Sequence, residues 1–355
     1  MQKESRGEND MTYNISPVRE ISSKDDMNGS YYVYKVESQL GAWLGLLAGV
    51  HVNREIKKHE QILAAKVHTY TERLLSIGMQ DAPITLFYKQ NKAICQFLDE
   101  VSQARNPDII STERTTKHAL WRISCVDKKH QLKLLLQGIE GLYVADGHHR
   151  LAASESLLPS VLPAIATVSV LSALFPDTSI DIAAYNRAVK ASYPLNKVEF
   201  MHKLACYFDV SVIDSSAIPA TNEQFVMVMG GAWYLLTLKS TWLQTTGAMS
   251  DYSVDILEKF IFNNVLGVDD VGKSADVMFV PGHYQGLGFA EYLVQHSCSL
   301  GFIFKPVCAE KIMQLADNGD FLSPHSTWIQ PKAAHGLVHH YVGFVAQPQR
   351  NKETV

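Results

Sequence analysis

The stretch Leu142-Tyr143-Val144-Ala145-Asp146-Gly147-His148-His149-Arg150-Leu151-Ala152-Ala153 most narrows what this chain can fold into. An apolar strand ends at Asp146, and a helix-compatible run opens straight after Gly147. Gly147 lets the backbone turn sharply or pass close to another segment. Ala152 and Ala153 let the new helix lie close on its sheet. A strand feeding a helix, in a chain that alternates the two, is the pattern of an α/β or α+β domain. The start of such a helix presents unpaired N–H groups and the positive end of its dipole, which suits an anion and phosphate above all. Arg150, in the first turn, adds a guanidinium able to grip phosphate with two hydrogen bonds. The plain alternative is a capped helix, with Asp146 as N-cap and His148 and His149 on the surface. The residues alone leave both readings open. Neighbouring histidines diverge on a helix, so His148 and His149 do not readily share a metal ion. No metal site held by protein alone is expected.

The rest of the chain bounds the answer. Its 355 residues fit two domains, or one large one. With Lys+Arg at 32 and Asp+Glu at 36 the net charge is -4, and no basic tract or helix-turn-helix stands out, which argues against nucleic acid as a partner. The five cysteines are widely spaced and form no CxxC pair, as expected of a reducing cytoplasm. The polar N-terminus lacks the apolar stretch of a signal peptide. The longest apolar run, Leu40 to Val50, is about half of the roughly 20 residues a membrane span needs, so a soluble cytoplasmic protein is expected.

Apolar periodicity divides the chain further. Residues 1–29 are polar and read as a flexible arm or a loosely packed edge, with order beginning at Tyr31. Tyr31–Val36 and Trp43–Val52 read as paired strands turning through Gly41, and the charged segment Asn53–Glu60 as a loop. Val67, Tyr70, Leu74 and Ile77 make one face of a helix over Lys66–Ile77. Pro83–Tyr88 reads as a buried strand, Ala93–Gln103 as a helix, Leu120–Cys125 as a strand and Lys128–Leu136 as a helix. A boundary near residue 180 gives domains over 30–180 and 181–355. In the second, Val198–Phe208, Ile256–Val265 and Ala309–Leu315 read as helices. Phe225–Met229 and Trp233–Leu238 read as a hairpin through Gly230-Gly231, and Val277–Val280 and Ser299–Phe304 as strands.

The Asp146-Gly147-His148-His149-Arg150 spelling, with Gly147, Arg150 and Ala153 in GxxRxxA spacing, resembles the phosphate-binding motif of the ParB/sulfiredoxin superfamily. It is similar in particular to the free-serine kinase branch and to domain-of-unknown-function family 1015. Ile56-Lys57-Lys58-His59-Glu60 resembles the His-Glu element upstream in both groups. Ser323-Pro324-His325-Ser326-Thr327-Trp328-Ile329-Gln330-Pro331-Lys332 resembles a C-terminal element of family 1015, with His325 where many members carry lysine. The weaker elements are His118-Ala119-Leu120-Trp121, Tyr185-Asn186-Arg187 and Trp233-Tyr234. The resemblance runs from about Tyr31 to Val342. The usual longer N-terminal region with a Pro-Tyr-Asp element is missing.

That resemblance implies a ParB/sulfiredoxin-like N-terminal domain followed by a second mixed α/β domain. It implies a phosphotransferase taking phosphate from ATP or ADP with Mg²⁺ to a small hydroxyl compound, free L-serine foremost. Gly147, His148, His149 and Arg150 then hold nucleotide phosphates, Asp146 orients a histidine or helps bind Mg²⁺, and His148 assists the chemistry. Glu60 serves as the base that takes the hydroxyl proton. His59, Ser326, Thr327 and Lys332 contact the acceptor, the last three closing the site from the second domain. Two other readings use the same anion site: a non-catalytic nucleotide-binding regulator, and a phosphatase on a small phosphorylated metabolite. A homodimer is compatible with all three. Gly282–Gly288 lacks the Gly-Lys-Ser/Thr ending of a P-loop and reads as a strand-to-helix turn. His335, His339 and His340 fit a final strand with exposed histidines rather than a metal site.

Overall fold

The computed structural model describes residues 13, 15–19, 29–52, 56–62, 64–157, 168–215, 217–245, 252–323 and 325–341. The protein is a mixed α/β molecule that divides into two compact units, Met1–Ile180 with Pro331–Val355, and Asp181–Gln330.

In the first unit the elements run β1 (Ile15–Ser16), β2 (Tyr31–Ser38), β3 (Gly41–His51), α1 (Ala64–Ile77), β4 (Met79–Gln80), β5 (Ile84–Tyr88), α2 (Lys92–Ala104), β6 (Ile109–Glu113), β7 (Thr116–Ile123), α3 (Val126–Leu136), β8 (Tyr143–Asp146), α4 (His148–Ser156) and β9 (Ser169–Pro176). The main sheet has the order β6-β7-β2-β3-β9-β5-β8, with β1 added against the end of β3. Its pairs are antiparallel except β5 with β9. β2 and β3 form the expected hairpin, closed by Ser38 opposite Gly41. All five residues of β5 are buried, as a strand covered on both faces requires. α2 is capped by the Asn91 side chain, which accepts from the N–H groups of Ala93 and Ile94, and it buries Ile94, Phe97, Leu98 and Val101 in helical spacing.

Two expectations change here. Most of residues 1–29 lie outside the described residues, but Tyr13, Ile15 and Val18 are buried. The Tyr31 hydroxyl donates to the Ile15 carbonyl at 2.9 Å, so order begins ahead of Tyr31. In α1 only Leu74 is buried, while Tyr70 and Ile77 stay exposed. Its apolar stripe is wider than the surface it packs on.

The first unit also takes back the end of the chain. Ala334 N–H donates to the Tyr34 hydroxyl at 2.9 Å, and Gly336 N–H to the Asp81 carbonyl at 2.7 Å. His340–Tyr341 pairs with β4. A division of the chain at residue 180 put this segment in the second domain; its hydrogen bonds place it in the first unit. His335 and His339 are exposed as expected, but His340 is fully buried. Its Nδ1 accepts from Arg19 N–H at 3.1 Å, so its Nε2 carries the proton that meets Ser169 Oγ at 2.8 Å.

The second unit runs β10 (Asp181–Ala184), β11 (Asn186–Lys190), α5 (Lys197–Tyr207), β12 (Phe208–Val212), β13 (Gln224–Met229), β14 (Ala232–Leu238), α6 (Ser240–Leu243), α7 (Ser253–Ile256), β15 (Val277–Val280), α8 (Gly286–Gln295), β16 (Cys298–Phe304), α9 (Ala309–Asn318) and β17 (Thr327–Gln330). α7 continues in π-helical turns over Leu257–Leu266. The antiparallel sheet has the order β12-β14-β13-β16-β11-β15, and β10 pairs with β17 apart from it. Gly230 and Gly231 turn the β13–β14 hairpin at φ of 60° and 81°, values glycine adopts without strain. Arg187 is fully buried on β11, donating to the carbonyls of Tyr185 and His325 and to Glu258. No helix among the described residues is long and apolar enough to cross a membrane. All five cysteines are free thiols.

Candidate functional site

β8, Gly147 and α4 form the predicted strand, turn and helix beside β5. Gly147 is the helix N-cap, with φ of 97°. A Cβ there would sit 2.7 Å from Ile84 Cγ2, so the turn needs glycine both for its backbone angle and for its contact with β5. The N-cap is therefore Gly147 and not Asp146, and no side chain caps the helix. The first N–H groups of α4 have no partner inside the helix.

The Asp146 carboxylate is instead shared by two cations. Lys332 Nζ donates to Oδ1 at 2.7 Å and Arg150 Nη2 donates to Oδ2 at 2.8 Å. Arg150 Nη1 donates to the Pro83 carbonyl at 2.7 Å, which fixes the guanidinium from a second side. Burial alone would raise the Asp146 pKa, but the charges of Lys332 and Arg150 outweigh it and hold the group at about 2. A carboxylate, two cations and a helix N-terminus thus meet at one place, all within the first unit.

The His-Glu element runs along β8. Lys57 N–H donates to the Leu142 carbonyl at 2.9 Å, and Val144 N–H to the Lys57 carbonyl at 2.9 Å. This brings His59 against His148, with ring centroids 4.8 Å apart at 78°. A solvated charged loop was the plain expectation for this segment; His59 is fully buried. Burial lowers its pKa to about 4, against a backbone hydrogen bond with Val144 that favours the charged form. His148 is also buried rather than on the surface, and its Nε2 has no hydrogen-bond partner among the described residues. Its pKa lies well below the usual histidine value, chiefly through burial. Both rings are neutral near pH 7. Glu60 Oε1 lies 3.9 Å from His59 Nε2. Burial lowers the pKa of half-buried His149, the Lys66 ammonium adds to this, and the Glu60 carboxylate opposes it. Glu60 therefore stands near both His59 and His149.

The structure brings His59, Glu60, Asp146, Gly147, His148, His149, Arg150 and Lys332 into one unit. Lys332 was expected to reach the site from the second domain and belongs to the first unit, as Asp146's partner. Ser326 and Thr327 belong to the second unit and are buried, with Ser326 Oγ donating to the Ser323 carbonyl. Pro324 lies outside the described residues. Sequence reasoning missed the Pro83 carbonyl that holds Arg150 and the Ile84 side chain that forces glycine at 147. It also missed Lys58, which ion-pairs with Glu155 on α4. Only the adjacency of Pro83–Tyr88 to the motif strand, which no local pattern encodes, would have shown the first two. No group of three or more His, Cys, Asp or Glu side chains suited to a metal occurs among the described residues. With each Asp146 oxygen already facing a cation, these residues do not fit a protein-held Mg²⁺.

A family model described as a protein of unknown function, DUF1015, matches residues 23–260, more than half of the chain. The chain belongs to the DUF1015 family. The matched span contains the His-Glu element and the Asp146–Arg150 motif; the 323–332 element lies beyond it. Among solved structures, this DUF1015 protein is similar to a free serine kinase in complex with AMP, at 14% identity over 93% of this chain and 95% of that one, with a TM-score of 0.44. It is also similar to SbnI with C-terminal truncation from Staphylococcus aureus, at 11% identity over 83% and 87% of the two chains, with a TM-score of 0.45. No curated protein matches the sequence.

Proposed function

We propose that this DUF1015 protein is a nucleotide-dependent phosphotransferase, passing phosphate from ATP or ADP to a small hydroxyl compound. The observation that carries the reading is the pair of cations, Arg150 and Lys332, held on one carboxylate at the N-terminus of α4. Asp146 neutralises one of their two charges, so the group keeps a net positive charge beside the positive end of the helix. A phosphate entering there meets N–H donors and cations whose positions are already fixed, and loses little to reorganisation. The ParB/sulfiredoxin-like motif resemblance supports the same placement and favours free L-serine as the acceptor.

Glu60 is the proposed base. The acceptor oxygen attacks the terminal phosphorus of ATP or ADP, the bond to the leaving nucleotide breaks, and the hydroxyl proton passes to the Glu60 carboxylate. His59 and His148, neutral and packed together, shape the wall beside it. Product analysis with ATP or ADP and serine tests the reading. Wild type is expected to form phosphoserine, and Glu60→Gln to lower turnover by about 10²–10⁴-fold with nucleotide affinity nearly intact. Nucleotide bound without turnover would point to a regulatory binding protein, and released inorganic phosphate to a hydrolase.

A further inference from the structure

The strand beside the motif carries a buried hydroxyl that the proposed reaction does not use. Thr85 on β5 keeps 1% of its surface, and its Oγ1 has no hydrogen-bond partner among the described residues. A buried hydroxyl without a partner costs stability, because nothing replaces the water it gave up. A valine of nearly the same shape would avoid that cost. Ile84 and Leu86, on either side of it, belong to the apolar core, so the Thr85 side chain leaves the sheet on the opposite face. There it stands across from Asp146, its register partner on β8. Opposed residues of an antiparallel pair share a face, with Cβ atoms about 4.5–5.5 Å apart. The ladder slips between Thr85 and Leu86, and such bulges re-aim side chains beside functional sites.

The two cations on Asp146 are not held equally. Arg150 is pinned by the Pro83 carbonyl as well as by the carboxylate, and its side chain is 19% exposed. Lys332 is 35% exposed and reaches Asp146 on a long flexible stem. Lys332 is therefore the cation that can turn onto an entering phosphate. That turn takes the ammonium away from Asp146 Oδ1 and leaves a carboxylate oxygen to be satisfied. The Thr85 hydroxyl can replace it, since rotation about χ1 swings Oγ1 towards a carboxylate on the same face. We propose that Thr85 is a positioning residue of the anion site, donating its hydroxyl hydrogen to Asp146 when Lys332 moves onto the ligand's phosphate. The inference rests on the phosphate placement above and adds how Asp146 stays paired, and Arg150 oriented, once the ligand is bound.

Calorimetric titration of ADP into wild type, Thr85→Val and Thr85→Ser, with thermal melting of each free protein, tests this. Thr85→Val keeps the shape and removes the hydroxyl. It should melt no lower than wild type, since the free protein makes no bond with that hydroxyl. It should nevertheless bind ADP about 10–150-fold more weakly, the range for a lost hydrogen bond to a charged group. Thr85→Ser restores the hydroxyl and should recover most of that affinity. In a Lys332→Met background the hydroxyl serves Asp146 with or without ligand, so adding Thr85→Val should leave the ADP affinity of that background unchanged. Wild-type ADP affinity in Thr85→Val would overturn the role of Thr85 and leave the phosphate site standing. Thr85→Ser as weak as Thr85→Val would also overturn it, because the loss would then follow shape and not the hydroxyl. So would a Thr85→Val protein that melts well below wild type, because the hydroxyl would already be bonded in the free protein. No ADP binding by wild type would overturn the phosphate placement and this role with it.

Discussion

Asp146 shows how a single side chain takes its role from distant chain. Read locally, Asp-Gly before a helix is a cap. Here the carboxylate accepts from Lys332, 186 positions away, as well as from Arg150 one turn on. No local pattern encodes the first of these bonds, whereas the second follows from i,i+4 helical spacing. Gly147 is the opposite case, because its left-handed angle and its contact with Ile84 both demand glycine. Gly147→Ala should cost at least about 1–3 kcal/mol of stability, from a strained backbone angle and an overpacked contact with β5. Chemical denaturation measures it, and a variant as stable as wild type would show that the turn relaxes freely.

Among the elements, those with a complete local signal were legible. α2 carries an N-cap, a full apolar stripe and a terminating Asn106-Pro107, and it forms with nearly the expected bounds. β5 and the β2–β3 hairpin are similar cases. α1 was legible as a helix but not in its burial, because periodicity gives a face and not what covers it. The final strand expected around His335–His340 forms only over His340–Tyr341, and its pairing was not legible, since its partner β4 is itself only two residues long. That pairing helps hold the returning segment. Ala334 in this segment reaches a tyrosine 300 positions earlier, and the Tyr34 hydroxyl, accepting that N–H, also hydrogen-bonds His118 Nδ1 at 2.9 Å. Lys332 rides on the same segment, so the anchoring of the chain's end and the geometry at Asp146 are one structural matter. In the candidate site, the residue types were legible at His59, Glu60 and 146–150, and the burial of His59 and His148 was not.

Across the whole molecule the most strongly shifted buried groups of the two units respond oppositely to acid. The first buries neutral His59 and His340, with pKa values lowered to about 4 and about 3, and His148, lowered well below its usual value. Each contributes stability that is present above the unfolded value near 6.5 and lost as pH falls, because the unfolded chain binds the proton first. In the second unit Asp255 is raised to about 6, by burial and then by the charge of Glu258, against a hydrogen bond from Ser323. Its contribution is full below the unfolded value near 3.9 and lost as pH rises through about 6. Calorimetric scans between about pH 7.5 and 5 should show one transition falling as pH is lowered and a second that holds or rises. Asp255→Asn should flatten the second. Two transitions that fall together, unaffected by Asp255→Asn, would contradict this.

The proposed function places nucleotide phosphates where Arg150 and Lys332 share Asp146. Calorimetric titration of ADP into wild type, Arg150→Ala and Lys332→Met tests that placement. Each variant is expected to lose about 1.5–3 kcal/mol, roughly 10–150-fold in affinity, the range for a hydrogen bond to a charged group. ADP binding to both variants with wild-type affinity would contradict the account.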